Sequence, residues 1–227
     1  MLILGLDVGS RWMKGTLLQR GLLRQACTHG FRREVTAAPL VEQIAAALAE
    51  EARGADLMVL SISRDLVVTR NVALPFKDLG KVKLVVPGVA EQNLPFPLKD
   101  AVVRHLVTDE SAPAQTHILL LMMNRRDLDP LTNTLGQLRV HEATAAVDSI
   151  GTVNAVLAEV PEARGTICVD VGAKKTCVEV VHDGRLVFSR ALSIAGNAFT
   201  AGIAAKLKVT AEEAEQLKLA LTTPDQL

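Results

Sequence analysis

The sequence has no tyrosine, one tryptophan and five phenylalanines, so aromatic residues form only 3% of the 227 residues. The formal net charge is zero, with 25 basic and 25 acidic side chains, which removes the electrostatic basis for nucleic-acid binding. The longest unbroken apolar run, residues 118–123, is too short to cross a bilayer. The N-terminus lacks a signal-peptide pattern. We therefore expect a soluble chain that binds no nucleic acid, and the sequence leaves open a membrane segment beyond Leu227.

Signals for disulfides, metal sites and common catalytic motifs are also sparse. Three cysteines, Cys27, Cys168 and Cys177, lack metal-ligand spacing. Because Cys168 and Cys177 fall on strands expected to be neighbours, a disulfide stays open, but free thiols in a reducing cytosol are favoured. The five histidines are dispersed. There is no serine nucleophile elbow, Walker A loop or Rossmann glycine fingerprint, so the sequence points to none of those enzyme classes.

Apolar residues form 49% of the chain, and their spacing predicts an α/β protein. The first predicted elements are strands over 1–8, 13–19 and 25–35, a helix from Pro39 to a stop at Gly54, and a strand over 57–62. This β-β-β-α-β order predicts a mixed sheet with a helix packed against it.

Residues 66–108 break this rhythm and are predicted to form an inserted subdomain. A helical pattern over 77–92 contains Pro87 followed by Gly88, which predicts a kink or an early stop. Residues 118–123 are then expected to resume the first sheet. The next predicted elements are a helix with Leu128, Leu131, Leu135 and Leu138 on one side, a strand entered at 139–141, and a helix over 144–159.

The remaining chain is predicted to form a second lobe. Its strands are expected over 166–171, 177–182 and 186–192, followed by a helix that starts at Asn197 or in the preceding loop. A last helix begins with Thr210 and Glu213 in capping-box spacing. These elements are few for a complete lobe, so either the second lobe is minimal or the chain is truncated. The predicted division is 1–65 with 109–158 as the first lobe, 66–108 as the insertion, and 159–227 as the second lobe.

The chain also repeats a short motif. Residues 3–9 and 167–172 are apolar runs that end in Asp-Val-Gly, with Asp7 and Asp170 at equivalent places. In both copies a second apolar stretch follows, and a turn glycine, Gly21 or Gly184, comes fourteen residues after the aspartate. The match therefore extends over a whole β-hairpin. Two such hairpins predict two related lobes around one cleft.

A carboxylate at a strand end followed by a glycine turn suits phosphate chemistry. The aspartate can hold Mg²⁺ through water, and backbone N–H groups in a turn with few side chains can approach phosphate oxygens. The candidate residues are Asp7, Gly9, Ser10 and Lys14 in the first copy, and Asp170, Gly172, Ala173 and Thr176 in the second. An ordinary turn explains either copy alone. The two copies together favour nucleotide binding.

Three further candidates lie near the C-terminus. The Gly196-Asn197 turn offers backbone donors for a phosphate, or is a plain helix start, and both interpretations stay open. Glu215 and Lys218 lie three residues apart on one helical face, which by itself predicts a weak ion pair within the helix.

These residues together resemble the actin-like ATPase superfamily. Within it the sequence is most similar to the PilM family of type IV pilus assembly and to the cytoplasmic domain of the type II secretion L subunit. The similarity rests on 4–10 with Lys14, on Leu-Pro-Phe at 74–76 and at 94–96, on 170–173, on 195–200, and on 214–218. It extends over nearly the whole chain.

The resemblance implies an actin-like (ribonuclease H-like) two-lobe fold with an inserted subdomain. It implies ATP and Mg²⁺ as ligands, with Asp7 and Asp170 holding the metal through water. The implied nucleotide contacts are Asp7, Gly9, Ser10 and Lys14 in the first phosphate loop, Asp170, Gly172 and Ala173 in the second, Gly196 and Thr200 nearby, and Glu215 and Lys218 at ribose and adenine.

The resemblance further implies a cytoplasmic scaffold at the inner face of the bacterial inner membrane, in a type IV pilus or type II secretion platform. Its partners would be the cytoplasmic tail of a bitopic membrane protein and the assembly ATPase, with ATP used structurally. Lys174 and Lys175 depart from the small residues common in the second loop, and the family's later adenosine-binding glycine segment does not occur before Leu227. Two alternatives therefore remain, a small actin-fold phosphotransferase and an L-type scaffold that has lost nucleotide binding.

Overall fold

The computed structural model describes residues 1–21, 25–51, 54–109, 114–137, 142–160 and 165–220. Within these ranges the strands are β1 (Leu2–Val8), β2 (Trp12–Arg20), β3 (Gln25–Glu34), β4 (Leu57–Ile62), β5 (Val67–Leu74), β6 (Ala101–Asp109), β7 (Thr116–Asn124), β8 (Glu142–Val147), β9 (Gly165–Val171), β10 (Thr176–His182) and β11 (Arg185–Leu192). The α-helices are α1 (Leu40–Glu51), α2 (Leu79–Glu91), α3 (Arg125–Gln137), α4 (Asp148–Glu159), α5 (Gly196–Leu207) and α6 (Ala211–Ala220).

The first sheet has five strands in the order β3-β2-β1-β4-β8. Strands β1 to β3 are antiparallel neighbours, whereas β4 and β8 run parallel to β1. Its core joins Leu4 and Leu6 of β1 to Ile44 and Ala47 of α1 and to Leu135 of α3, all of which are buried. The predicted β-β-β-α-β order and the mixed sheet are confirmed.

The structure corrects the prediction that a helix spans 144–159. Residues 144–147 belong to β8, and α4 begins at Asp148. Thr144 pairs with Val59 of β4, and this parallel pairing gives the 142–147 backbone its hydrogen-bond partners. The small side chains of that segment are compatible with a helix or a strand, so the pairing with β4 determines that it forms a strand. Leu138 and the strand entry predicted at 139–141 lie outside the described residues.

The second sheet has three antiparallel strands in the order β5-β7-β6. The prediction that 118–123 resumes the first sheet is wrong, because these residues form the centre of β7 and pair with β5 and β6. Leu120 and Met122 face α2, where Val82, Val86 and Ala90 form the buried stripe. This packing carries α2 through Pro87, so the helix has no early stop.

The third sheet has three antiparallel strands in the order β11-β10-β9. Helix α4 packs against it through Val153, which shares a core with Cys168 and Val181. Cys168 and Cys177 are buried free thiols, as favoured from the sequence. The capping box is confirmed, because the Thr210 hydroxyl accepts from the Glu213 N–H (3.2 Å) and Glu213 accepts from the Thr210 N–H (2.9 Å).

The division of the chain at residues 65, 108 and 158 stays a prediction. The sheet that contains β5 and β6 of the predicted insertion also contains β7, which lies after residue 108 in the sequence. Among the described residues, none of the helices has both the length and the apolar character needed to cross a bilayer.

Gly15 gives a test of the first hairpin. A Cβ there would lie 2.2 Å from the Phe31 ring, so Gly15→Ala is expected to displace the ring and destabilise the fold by about 1–2 kcal/mol. Chemical denaturation measures this change. Gly202→Ala is the control, because nothing lies near its Cβ position in α5 and helix propensity predicts a gain of about 0.5–1 kcal/mol. Equal behaviour of the two variants would contradict the prediction.

Candidate functional site

The first hairpin tip, residues 9–11, is called loop 1. The Gly9 N–H donates to the Trp12 carbonyl across the turn at 3.0 Å, and a Cβ at position 9 would lie 3.0 Å from that oxygen. Asp7 and Lys14 are cross-strand partners, with carboxylate and ammonium 3.8 Å apart and both side chains well exposed. The Asp7 carboxylate is thus held loosely and is accessible at the strand end.

The second hairpin tip, residues 172–175, is called loop 2 and repeats this geometry. The Gly172 N–H donates to the Lys175 carbonyl at 2.9 Å, and a Cβ at position 172 would again lie 3.0 Å from the accepting oxygen. Asp170 precedes it as an exposed residue in β9. The sequence repeat is therefore a structural repeat, and each glycine is required by close backbone approach.

The N-terminus of α5 docks on loop 2. The Gly196 and Asn197 N–H groups donate to the Gly172 and Ala173 carbonyls at 2.9 and 2.8 Å. A Cβ at Gly196 would lie 3.2 Å from the Gly172 oxygen, so this contact favours glycine. These two N–H groups are engaged within the protein and are not free donors for a phosphate. The helix start instead fixes loop 2 relative to α5 and α6.

Glu215 of α6 is the centre of an ionic cluster. It accepts from the Lys218 ammonium at 2.6 Å, from the Thr200 hydroxyl at 2.5 Å and from the Arg11 guanidinium at 2.5 Å. These three donors, with Lys218 first, lower the pKa of Glu215 to about 2. The pair within the helix, weak when taken alone, is thus part of a larger network whose carboxylate is only 17% exposed.

Arg11 makes this cluster a connection between the two hairpins. It belongs to loop 1, and Glu215 lies 204 residues further along the chain. Lys218 also donates to the Gly196 carbonyl at 3.2 Å, and Gly196 is bonded to loop 2. A continuous series of hydrogen bonds therefore runs from loop 1 through α6 and α5 to loop 2.

A second connection uses Lys175 of loop 2. Its ammonium forms an ion pair with Asp148 at the start of α4, donates to the Ser63 hydroxyl at 2.6 Å, and lies 3.6 Å from Asp65. Asp148 also accepts from the backbone N–H groups of Arg64 and Ser149, at 3.1 and 2.7 Å. The lysine that departs from the family pattern thus ties loop 2 to the ends of β4 and β8.

Arg64 forms a third, buried connection. Its guanidinium donates to the Ser189 hydroxyl and carbonyl, both at 2.8 Å, and to Val67 and Thr69 at 2.5 Å. The Ser189 hydroxyl lies 3.3 Å from the fully buried Glu179, whose other carboxyl oxygen has no hydrogen-bond partner. Burial lowers the pKa of Arg64 and raises the pKa of Glu179.

The structure brings most of the predicted site residues into one region. Gly9 and Gly172 occupy equivalent tips, and Gly196, Thr200, Glu215 and Lys218 connect them. The Thr176 hydroxyl instead donates to the Ile194 carbonyl at 2.6 Å and is not free for a ligand. Among the described residues, no three His, Cys, Asp or Glu side chains converge as a metal site. A Mg²⁺ ion held through Asp7 and Asp170 would therefore need water and phosphate oxygens as further ligands.

Four residues at this region escaped the sequence argument, namely Arg11, Arg64, Asp148 and Lys175. Arg11 could have been found from the sequence, because it directly follows the first motif. Lys175 was noticed only because it departs from the small residues common in the second loop. Arg64 and Asp148 had no such signal, because Arg64 contacts Ser189, 125 residues further along the chain, and Asp148 pairs with Lys175, 27 residues further along.

Comparisons with known proteins agree with this architecture. The family model described as type IV pilus assembly protein PilM matches residues 27–227. No curated protein sequence matches significantly. A structure titled as a PilM-PilN type IV pilus biogenesis complex is 20% identical over 95% of this chain and 68% of that one, with a TM-score of 0.80.

Two more distant structures share the fold. The cytoplasmic domain of EpsL, an inner-membrane component of the type II secretion system of Vibrio cholerae, is 10% identical over 85% of this chain and 71% of its own (TM-score 0.60). MreB5 of Spiroplasma citri bound to ADP is 12% identical over 96% and 61% (TM-score 0.52). At these identities the similarity shows the fold alone, and that fold is the predicted actin-like one.

Proposed function

Because the chain belongs to the PilM family of type IV pilus assembly proteins, we propose that it is a cytoplasmic scaffold at the inner face of the bacterial inner membrane. Its partner there is the cytoplasmic tail of a bitopic pilus or secretion protein, which holds it peripherally at the membrane. The assembly ATPase is a second partner. The similar structure titled as a complex of PilM with PilN supports a protein partner.

The proposed ligand of the cleft is Mg-ATP. The observation that carries this proposal is the series of hydrogen bonds that joins both glycine tips through α5 and α6. This series supports the proposal that the two strand-end carboxylates, Asp7 and Asp170, and the two glycine tips act together on one ligand. Ser10, Lys14 and Ala173 complete the proposed phosphate contacts, and Glu215 and Lys218 are the proposed contacts for ribose and adenine.

The residues fit this ligand with one condition. Glu215 already accepts from Arg11, Thr200 and Lys218, so a ribose hydroxyl would compete with these donors for the carboxylate. Of these three donors, Arg11 has the most exposed side chain, and it is the one that belongs to loop 1. Nucleotide binding is therefore coupled to the contact between loop 1 and α6. A ligand that binds differently when this contact is formed and when it is broken can shift the protein between the two conformations.

A structural use of ATP is favoured over phosphotransfer by Asp148. This carboxylate forms an ion pair with Lys175 of loop 2, and it also accepts two backbone N–H groups. These contacts turn the carboxylate toward the protein's own donors and away from a substrate hydroxyl. We therefore propose binding without appreciable turnover.

For the partner's tail we propose a groove of about 430 Å³ at the junction of the second sheet and α3. Its lining residues are Phe96, Pro97, Asp100, Asn124, Arg125, Arg126 and Asp129. An aromatic and proline wall suits an apolar side chain, and two guanidinium groups suit backbone carbonyl or carboxylate oxygens of an extended segment.

Nucleotide binding is tested by calorimetric titration of Mg-ATP. Asp7→Asn is expected to weaken binding about tenfold or more, since it removes one charged ligand of the hydrated metal. Glu91→Gln, exposed on α2, is the charge-matched control and is expected to bind normally. ADP release at many turnovers per protein in the presence of an acceptor would instead establish a phosphotransferase. Absence of any titration heat would establish the L-type alternative.

The scaffold role is tested separately with a synthetic peptide that carries the cytoplasmic tail of a PilN-type membrane protein. Arg125→Glu is expected to reduce capture of the peptide about tenfold, because it reverses a charge in the groove. Lys206→Glu, exposed on α5, makes the same charge change elsewhere. Equal capture by both variants would place the tail on another surface.

A further inference from the structure

A second cavity of about 460 Å³ lies between the lobes beside loop 2. One wall is formed by residues 64–70 at the start of β5, and the other by loop 2 and by residues 190–193 at the end of β11. The basic side chains in its lining are Arg64, Arg70, Lys174, Lys175 and Arg190, and the acidic one is Asp65. This cavity is separate from the groove proposed for the partner's tail, with which it shares no lining residue.

One of these cations is neutralised by the protein itself. The Lys175 ammonium is paired with Asp148 and lies near Asp65. The charge of Lys175 and the one acidic residue of the lining therefore largely compensate within the fold. The remaining four cations have no such counterpart in the lining.

Three of those four are on the rim and are exposed. The side chains of Lys174 and Arg190 make no hydrogen bond or ion pair with any residue in the described part of the chain. The Arg70 guanidinium donates to the neighbouring Thr69 carbonyl at 2.8 Å, a neutral acceptor. Three exposed cations thus line one small cavity, and within the described residues none of them forms an ion pair with a carboxylate.

Arg64 is the fourth of these cations in the cavity lining. It is only 4% exposed, and its hydrogen bonds go to hydroxyl and carbonyl oxygens of Ser189, Val67 and Thr69, which are all neutral. Within the described residues no carboxylate forms an ion pair with it. Glu179, Asp148 and Asp65 nevertheless act on the guanidinium electrostatically, so the net positive charge of the cavity rests mainly on the three exposed cations.

We propose that this cavity binds a small polyanion that carries phosphate groups. Its volume is in the range of small-ligand sites. The guanidinium groups on its two walls can form bidentate hydrogen bonds with phosphate oxygens. Such phosphates have two sources, a free oligophosphate or the phosphate chain of a nucleotide that enters from loop 2. The site stands on its own contacts and does not depend on nucleotide binding at loop 1.

The test is calorimetric titration of the whole chain with sodium tripolyphosphate and, separately, with ATP at low ionic strength. The double variant Lys174→Gln/Arg190→Gln is expected to lose at least tenfold in tripolyphosphate affinity, and Arg70→Gln is expected to lose severalfold. Binding by the unmodified protein is expected to weaken steeply with added salt. Lys206→Gln is the control, and a thermal melt checks that each variant is folded.

The two titrations separate the sources. If the double variant loses tripolyphosphate but retains ATP, and Asp7→Asn shows the reverse, the cavity takes a free oligophosphate. If the double variant loses both ligands, the cavity receives the phosphates of a bound nucleotide. Either result supports the site.

Three results would overturn the proposal. The first is unchanged tripolyphosphate binding in the double variant, and the second is an equal loss in Lys206→Gln. The third is selective binding of a polyglutamate peptide in place of tripolyphosphate, which would assign the cavity to an acidic protein segment. In all three cases ATP binding that depends on Asp7 would still stand, so failure here is distinguishable from failure of the proposed function.

Discussion

Replacement of Arg64 by methionine is expected to destabilise the protein by about 3–5 kcal/mol, since it leaves several buried oxygen acceptors without their charged donor. The guanidinium joins the turn before β5 to Ser189 of β11, so its loss leaves acceptors on both sides of the lobe junction unsatisfied. The side chain is 4% exposed, and water cannot readily replace it. Urea denaturation at neutral pH measures the change.

Arg70→Met is the matched control. Arg70 lies six residues further on, in β5, but its side chain is exposed and donates only to the neighbouring Thr69 carbonyl, so its loss is expected to change stability by less than about 0.5 kcal/mol. A change below about 1 kcal/mol for Arg64→Met would show that the network rearranges without it and would contradict the prediction.

Glu179 gives a second, independent check of the same network. Burial raises its pKa, so the folded state prefers the protonated carboxyl. Its contribution to stability is then fully present below the unfolded-state pKa of about 4.5 and is lost as pH rises through the folded-state pKa. Glu179→Gln, which is neutral at all pH, is therefore expected to be better tolerated at pH 7 than Arg64→Met, and a pH series of unfolding curves tests this.

Replacement of Glu215 by glutamine is expected to cost about 2–3 kcal/mol at pH 7, because three donors lose their charged acceptor. The same change cuts the contact between loop 1 and α6. We expect the lobes to separate more readily, which small-angle scattering measures as a larger radius of gyration. An unchanged radius together with unchanged stability would contradict the prediction.

The pH dependence has a defined sign. Folding lowers the pKa of Glu215 from 4.5 to about 2, so its contribution is fully present above pH 5 and is lost as pH falls toward 2. The stability difference between the unmodified protein and Glu215→Gln is therefore expected to shrink over that interval. A difference that stays constant down to pH 3 would show that Glu215 is not held as a carboxylate.

A double-mutant cycle isolates the contact between the lobes. Arg11→Gln removes the one donor that comes from the other hairpin, while Thr200 and Lys218 remain beside Glu215. We expect Arg11 and Glu215 to be coupled by about 1–2 kcal/mol, with a smaller coupling at high salt because Arg11 is 40% exposed. Additive effects of the two substitutions would show that the contact is not formed in solution.

The fold was predictable where the determining interactions are local. The two Asp-x-Gly hairpins follow from alternating apolar residues and from a glycine required by a close carbonyl, and their equivalence is visible as Gly9 to Trp12 and Gly172 to Lys175. The capping box at Thr210 and Glu213 likewise depends on residues three apart. Such elements can be predicted from the spacing of apolar residues and from the residue types that turns and helix ends require.

The failed predictions share a different cause. Residues 118–123 are apolar enough for the centre of any sheet, and their sequence does not say which strands flank them. Residues 144–147 suit a helix or a strand, and the pairing of Thr144 with Val59 decides. At Pro87 the sequence predicted a kink or an early stop, and only the stop is contradicted, because packing of Val86 and Ala90 on the second sheet keeps α2 continuous.

The sequence by itself determined the repeated hairpins, the helix caps and the chemical nature of the cleft residues, because each depends on neighbours a few positions apart. The tertiary structure alone decided which charged and polar groups meet. Arg11 with Glu215, Lys175 with Asp148, and Arg64 with Ser189 join segments that only folding brings together. Ion pairing has no sequence period, since any exposed cation can satisfy any carboxylate within reach, and the arrangement of the lobes sets that reach.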